Sequence, residues 1–186
     1  NNLIEESGGK VTGWGMALGT ETVTNADLAA KMDTSNEWIL ERTGISERRI
    51  GGSTSGLAVR AGQQALEMAG VKATEIDLLI LATTTPDEQV PATSAIVQDQ
   101  LGLTCGAMDL NAACSGFVYS LVTGFGFLKL GFKRILIIGS ETLSRITDWD
   151  DRPTAILFGD GAGAVVIEAE KGTGALLGWN VGCEGE

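Results

Sequence analysis

Apolar and polar positions along the chain follow two rhythms, one suited to strands and one to helices. Val11–Leu18 reads as a strand, and Thr24-Asn25-Ala26-Asp27 as a helix cap ahead of Leu28–Met32, with Asp27 where the acid of a capping box reaches back. A second short helix is expected over Ser35–Arg42. Ser53–Ser55 caps a longer helix, because Leu57, Ala61, Ala65 and Ala69 recur along one face and Gly70 stands where a helix C-terminus takes glycine. Ile76–Thr83 is a continuous apolar run, as in a strand covered on both faces; Thr93–Leu101 is a helix closed by Gly102; Ala107–Ala112 is another strand. Ser115–Leu130 follows as an apolar helix with Gly131 at its end, then strand Arg134–Gly139, then Ala155–Phe158 and Ala164–Glu168 as two strands around a glycine-rich turn. Alternation of this kind gives a mostly parallel sheet with helices on its faces, an α/β fold, and residues 1–186 show no repeat or boundary that would divide them.

The helix Ser115–Leu130 departs from the usual amphipathic stripe. Phe117, Tyr119, Leu121, Val122, Phe125, Phe127 and Leu128 surround it, so it is expected to be buried on nearly all sides. One α/β layer of 186 residues does not enclose such a helix, which implies further protein, either a second half or another subunit.

Composition narrows the functional classes. With 44% hydrophobic residues the chain can bury a core, and 26 glycines against 3 prolines indicate tight turns rather than a disordered linker. A net charge of −11 repels nucleic acid and anionic membranes over most of the surface. The apolar runs Leu78–Ala82 and Ile135–Ile138 are too short to span a bilayer, and the acidic start Asn1–Glu6 lacks a signal peptide's features, so a soluble cytoplasmic protein is expected. Cys105, Cys114 and Cys183 are odd in number and widely spaced, which suits neither a disulfide framework nor a metal knuckle. Absence of histidine removes most zinc sites and any complete Ser-His or Cys-His dyad from this chain taken alone.

The candidate chemistry centres on Asp109-Leu110-Asn111-Ala112-Ala113-Cys114-Ser115-Gly116-Phe117, which sets a cysteine where a strand ends and an apolar helix begins. The helix N-terminus there favours a thiolate, the nucleophilic form, and backbone N–H groups of such a turn are available to an oxyanion. Taken alone, a cysteine in an apolar setting is more often a small buried residue.

Three segments, in matching order, resemble those of β-ketoacyl-acyl-carrier-protein synthase III, a thiolase-fold condensing enzyme. They are Asn111–Leu121, with its cysteine in an Ala-Cys-small-Gly-Phe context, Asp33–Ile45 and Asp151–Gly163. The resemblance runs the length of the chain and points to the N-terminal half of such an enzyme. It implies a thiolase-like fold, a mixed, mostly parallel sheet with helices on both faces, as one half of a two-fold pseudo-symmetric α-β-α-β-α architecture. It also implies that Cys114 carries the acyl group, that Trp38 and Arg152 sandwich the adenine of coenzyme A, and that Thr34 and Arg42 lie near the nucleotide end. The residues are compatible with this: Trp38 and Arg42 share a helix face, and an indole beside guanidinium groups suits an adenine carrying phosphates. A core anchor for Trp38 and a pairing of Arg42 with Glu37 or Glu41 fit the same residues. Thr83–Pro91 corresponds to a loop lining the partner subunit's acyl pocket, with Val90 at or near the position whose size limits acyl length. A valine there leaves room for longer or branched primers.

The activity implied is a decarboxylative Claisen condensation that initiates fatty-acid or related polyketide synthesis. Cys114 attacks an acyl-CoA thioester and CoA leaves; malonyl-acyl-carrier protein then decarboxylates to a carbanion that takes the acyl group, two carbons longer. Acyl-CoA is a substrate and no cofactor is implied; a homodimer is. The family completes its site with a histidine, an asparagine and a glycine N–H from its C-terminal half, so this histidine-free chain alone is not expected to condense anything. It reads as a fragment, as part of a split enzyme, or as a short protein that lost the chemistry.

Two other cysteine enzymes of the same fold, hydroxymethylglutaryl-CoA synthase and plant-type polyketide synthase, are disfavoured by the segments carrying Trp38, Arg42 and Arg152. A non-catalytic thiolase-fold subunit that binds acyl chains or shapes a partner's pocket is the alternative from outside enzymology. Arg48–Arg49 and Lys133–Arg134 are small basic pairs that would either meet an acidic carrier protein or sit solvated at the surface. Gly159-Asp160-Gly161-Ala162-Gly163 has the spacing G-x-G-x-G and is followed by a β-type run, so it reads as a turn between strands rather than a dinucleotide loop. Cys105 and Cys183 carry no motif.

Overall fold

In a computed structural model, which describes residues 7–172 and 176–185, the apolar runs form the middle of a sheet. The acidic start Asn1–Glu6, which the sequence set against a leader segment, lies outside the described residues. The elements are β1 (Ser7–Leu18), β2 (Glu21–Thr24), α1 (Asn25–Ala29), α2 (Asn36–Thr43), β3 (Glu47–Ile50), α3 (Thr54–Ala69), β4 (Leu78–Ala82), α4 (Thr93–Gln100), β5 (Gly106–Leu110), α5 (Gly116–Lys129), β6 (Arg134–Thr142), α6 (Arg152–Ala155) and β7 (Asp160–Lys171). The main sheet has the order β1-β7-β6-β4-β5. Strand β4 runs parallel to β5 and β6, whereas β7 is antiparallel to both β6 and β1.

Side chains of β4 and β6 alternate between two cores. Leu79, Leu81, Leu136 and Ile138 meet α3 residues Leu57, Ala58, Ala61 and Ala65 on one face. Leu78, Ile80, Ile135 and Ile137 meet Phe125 and Leu128 of α5 on the other. All five residues of β4 are buried, which is why its sequence does not alternate between apolar and polar.

Helix α3 has the caps its sequence specifies: Ser53 Oγ accepts from Gly56 N, and Gly70 closes the end at φ 67°. Its alanine face lies so close to β1 that a Cβ on Gly13 or Gly15 would overlap the carbonyl oxygens of Ala65 and Ala61. The Thr24–Asp27 capping box also forms, opening α1.

The structure corrects two readings. Ala155–Phe158 is not a strand, because Pro153 in the first turn favours helix and α6 forms instead, leaving Ile156–Leu157 as a turn and Phe158–Gly159 as irregular chain. The glycine-rich segment is therefore not a turn between two strands: it opens β7, with Gly161–Gly163 opposite Glu141–Gly139 of β6. Within the described residues helix α5 buries one face. Gly116, Ser120, Gly124, Phe125 and Leu128 are buried, while Val118 is 51% exposed. Sequence reading also missed the small antiparallel pair β2–β3, whose polar, four-residue strands show no alternation.

Gly15→Val forces α3 off β1, and overpacking of this kind costs about 1–3 kcal/mol. Urea denaturation of the purified protein is expected to show a lower midpoint with an unchanged slope.

Candidate active site

Parallel strands β4, β5 and β6 all end at one edge of the sheet, the edge where ligands sit in open α/β folds. From the end of β5 at Leu110 the chain passes Asn111 and Ala112, makes one 3-10 turn over Ala113–Ser115, and enters α5 at Gly116. Cys114 is in that turn and exposed, which replaces the alternative of a small buried cysteine. Ala113 has φ 46°, the one non-glycine residue in the left-handed region among the described residues. Such a backbone costs about 1–3 kcal/mol, and it persists where the surrounding structure fixes both ends of the turn. At the second end the fit is close, since a Cβ on Gly116 would lie 3.2 Å from the Ala82 methyl.

Cys114 lines a cavity of about 430 Å³ at this edge. Ala82 and Thr84 supply the β4 side, Gly139, Ser140 and Glu141 the β6 side, and Gly161–Gly163 the start of β7; Phe117, Leu143 and Phe158 add apolar surface. The cavity is therefore mostly hydrophobic, with the Cys114 thiol at its rim. That combination suits a thioester carrying an alkyl chain. Among the described residues there is no group of His, Cys, Asp and Glu that could hold a metal ion.

Glu141 was not singled out by the sequence. Its carboxylate accepts from Thr84 N at 2.7 Å, Thr85 N at 3.1 Å and Thr84 Oγ1 at 3.1 Å, and also from the hydroxyls of Thr83 and Thr85. The run of three threonines after an apolar strand was the available signal. A little further along the chain, Asp87 accepts from Thr54 N at 2.8 Å and Ser55 N at 3.0 Å, tying the same loop to the start of α3. The loop then carries Val90 outward, 85% exposed and outside the cavity of its own chain.

A second cluster brings together Thr34, Trp38, Arg42 and Arg152. Ser35 caps α2 by accepting from Trp38 N at 3.1 Å. The Arg42 guanidinium lies 4.3 Å from the Trp38 ring centre and that of Arg152 lies 4.4 Å from it. Arg152 is held there by donating to Asp33 O at 2.9 Å, and Thr34 Oγ1 is buried without a hydrogen-bond partner. None of these four residues lines the Cys114 cavity. Each arginine stacks on the indole in this structure, so a planar ligand entering between Trp38 and Arg152 has to displace a cation–π contact.

The basic pairs divide. Arg48 is only 4% exposed, so it is neither a solvated surface charge nor available to a carrier protein. Arg134 is engaged by Glu168 at 2.7 Å and Glu75 at 3.2 Å, whereas Lys133 is exposed.

This sheet, with its cysteine turn at the parallel edge, defines a thiolase-like α/β fold. The family model for 3-oxoacyl-[acyl-carrier-protein] synthase III matches residues 108–185. A β-ketoacyl-[acyl-carrier-protein] synthase III of Bradyrhizobium diazoefficiens is 57% identical over 170 residues, covering 89% of this chain and 52% of the relative. That of Erythrobacter litoralis is 55% identical over 167 residues, covering 87% and 52%. The crystal structure of the Aquifex aeolicus 3-oxoacyl-[acyl-carrier-protein] synthase III superposes with a TM-score of 0.85 at 47% identity, over 87% of this chain and 54% of that one. A priming β-ketosynthase of the R1128 polyketide pathway gives a TM-score of 0.86 at 34% identity, over 89% and 51%. The chain is therefore similar to the β-ketoacyl-acyl-carrier-protein synthase III proteins along most of its length. It spans about half the length of the curated relatives it matches.

Burial pushes the Cys105 thiol up from the ordinary cysteine value, leaving less thiolate at neutral pH. With iodoacetamide at pH 7.5, peptide mass mapping is therefore expected to find Cys105 alkylated far more slowly than the exposed Cys114, with the gap narrowing as pH rises.

Proposed function

We propose that the protein of which this chain forms the N-terminal half is an acyltransferase that primes fatty-acid or related polyketide synthesis by condensing an acyl-CoA with malonyl-acyl-carrier protein. The observation that carries this is Cys114, exposed in the turn between β5 and α5 at the rim of an apolar cavity. Its thiol attacks the acyl-CoA carbonyl, coenzyme A leaves as a thiol, and the acyl group remains as a thioester with its chain in the cavity. Decarboxylation of the malonyl thioester supplies the carbanion that takes the acyl group and releases Cys114.

The Trp38 cluster supports coenzyme A as the donor. Adenine stacks on the indole, and Arg42 and Arg152 answer the phosphates. Thr34 lies at the nucleotide end, where its buried hydroxyl takes a partner from the ligand. Acyl-CoA enters as substrate and the reaction uses no cofactor. Val90, which projects away from its own chain's cavity, reaches the acyl pocket of a second protomer in a homodimer, where its small side chain admits longer or branched primers. The C-terminal half brings the histidine and asparagine for decarboxylation and covers the open sides of α5. In the described residues no helix is long and apolar enough to cross a membrane, and the assignment to the cytoplasm follows from substrates made there.

The test is to incubate the purified protein with acetyl-CoA and longer acyl-CoAs and record denaturing intact masses, with Cys114→Ala alongside. An adduct of the acyl mass that disappears in Cys114→Ala is expected. A chain that stays unmodified even beside a C-terminal half overturns the enzyme reading and favours a non-catalytic thiolase-fold subunit.

A further inference from the structure

Arg48 is a charged side chain withdrawn from water with no carboxylate to receive it. It is 4% exposed, and among the described residues no acidic group lies within ion-pair distance of it. Its acceptors are neutral. Nη1 and Nη2 both donate to Asn25 Oδ1 at 3.0 Å, Nη2 donates to Ile156 O at 3.0 Å, and Nη1 donates to Val23 O at 3.3 Å. Nε is buried without a partner. A cation held in this way is costly, and an apolar side chain of similar volume would serve packing alone at least as well.

What the guanidinium joins gives it a purpose. On one side is Asn25, whose amide nitrogen donates to Asn36 Oδ1 at 3.0 Å and Ile45 O at 2.8 Å, the two ends of the segment that carries α2 and Trp38. On the other side is Ile156, the residue that caps α6, whose first residue is Arg152. Ile156 also packs with Ile39 and Leu28 in the small core beneath Trp38. The indole and the Arg152 guanidinium therefore stand on elements far apart in sequence, and one side chain hydrogen-bonds to both supports.

We infer that Arg48 is a positioning residue for nucleotide recognition: it sets the spacing between Trp38 and Arg152 and so tunes affinity for the adenosine end of the acyl donor without touching it. The inference rests on the proposed role of Trp38 and Arg152 at coenzyme A. Arg48 belongs to β3, and Arg49 points elsewhere in the same strand, its backbone close against Gly159. With the clamp spacing loosened, a thioester that lacks the nucleotide loses nothing, because it never used the clamp.

The experiment compares two donors in the intact protein, acetyl-CoA and acetyl-pantetheine, by the concentration dependence of Cys114 acylation in wild type, Arg48→Lys and Arg48→Met. Arg48→Lys keeps the buried charge but cannot bond both supports at once. It is expected to raise the half-saturating concentration of acetyl-CoA by about tenfold with little change in the maximal rate, and to leave acetyl-pantetheine within about twofold. Arg152→Ala should reproduce this pattern. If Arg48→Lys lowers both donors equally, or keeps the wild-type preference for acetyl-CoA, Arg48 serves stability alone and the inference fails; Arg48→Met, with its thermal midpoint recorded, must give the same answer where it folds. If wild type is acylated equally well by both donors, the coenzyme A reading of Trp38 and Arg152 fails instead.

Discussion

Strands β4 and β6 are apolar on both faces, and the rest of the molecule follows from covering them. Leu79 and Leu136 cannot be buried by the helices that bury Ile80 and Ile137, so helices must lie on each side of the sheet. Parallel neighbours can be joined only by crossovers, and crossovers deliver every strand-to-helix turn to the same edge. Cys114 after β5, Thr83–Thr85 after β4 and Glu141 near the end of β6 meet there for that reason. The site is a consequence of two-sided burial before it is a feature of any one residue.

Helix α5 shows the same constraint in reverse. Its sheet-facing side combines the small residues Gly116, Ser120 and Gly124 with Phe125 and Leu128, and a Cβ on Gly124 would fall 2.8 Å from the Ile137 side chain, yet apolar Val118 lies on the open side at 51% exposure. A solvent-facing helix carries polar residues there. The tail over residues 176–185 covers part of it, with Tyr119 donating to Gly182 O at 2.8 Å and Trp179 beside Phe125 and Val122. The remaining open side fits a chain that spans about half of its relatives.

Much of this was legible because the signals were local. Periodic alanines and a terminal glycine gave α3, a continuous apolar run gave β4, and a cysteine at a strand-to-helix boundary gave the turn that rims the cavity. The failures had a common cause, which is that the deciding partner lies far away in sequence. Ala155–Phe158 has strand-like residues but starts from Pro153, and Ile156 is claimed by the core under Trp38 rather than by the sheet. Arg48 resembled a surface charge because nothing nearby marks it as buried; its acceptors Asn25 and Ile156 are supplied by other elements. Glu141 was overlooked because its only signal, the three threonines whose backbone and hydroxyl groups donate to it, lies in a loop dozens of residues earlier.

Both halves of the site also show how rigidity is obtained without covalent links. The left-handed backbone at Ala113 is unfavourable alone, yet β5 is locked to β4 in register from Leu78 opposite Gly106 to Ala82 opposite Leu110, and α5 begins against Ala82. With both ends fixed, the turn between them has little freedom left, and the local cost is carried by packing on either side. The Trp38 cluster uses a buried guanidinium where the cysteine turn uses packing, because α2 and α6 are short and share no strand pairing. Short helices on loops need a polar tie to hold an angle, since their few apolar contacts fix distance better than direction. A cysteine turn set by the sheet and a Trp38 cluster set by hydrogen bonds can then differ in stiffness, with Cys114 held at the more rigid of the two.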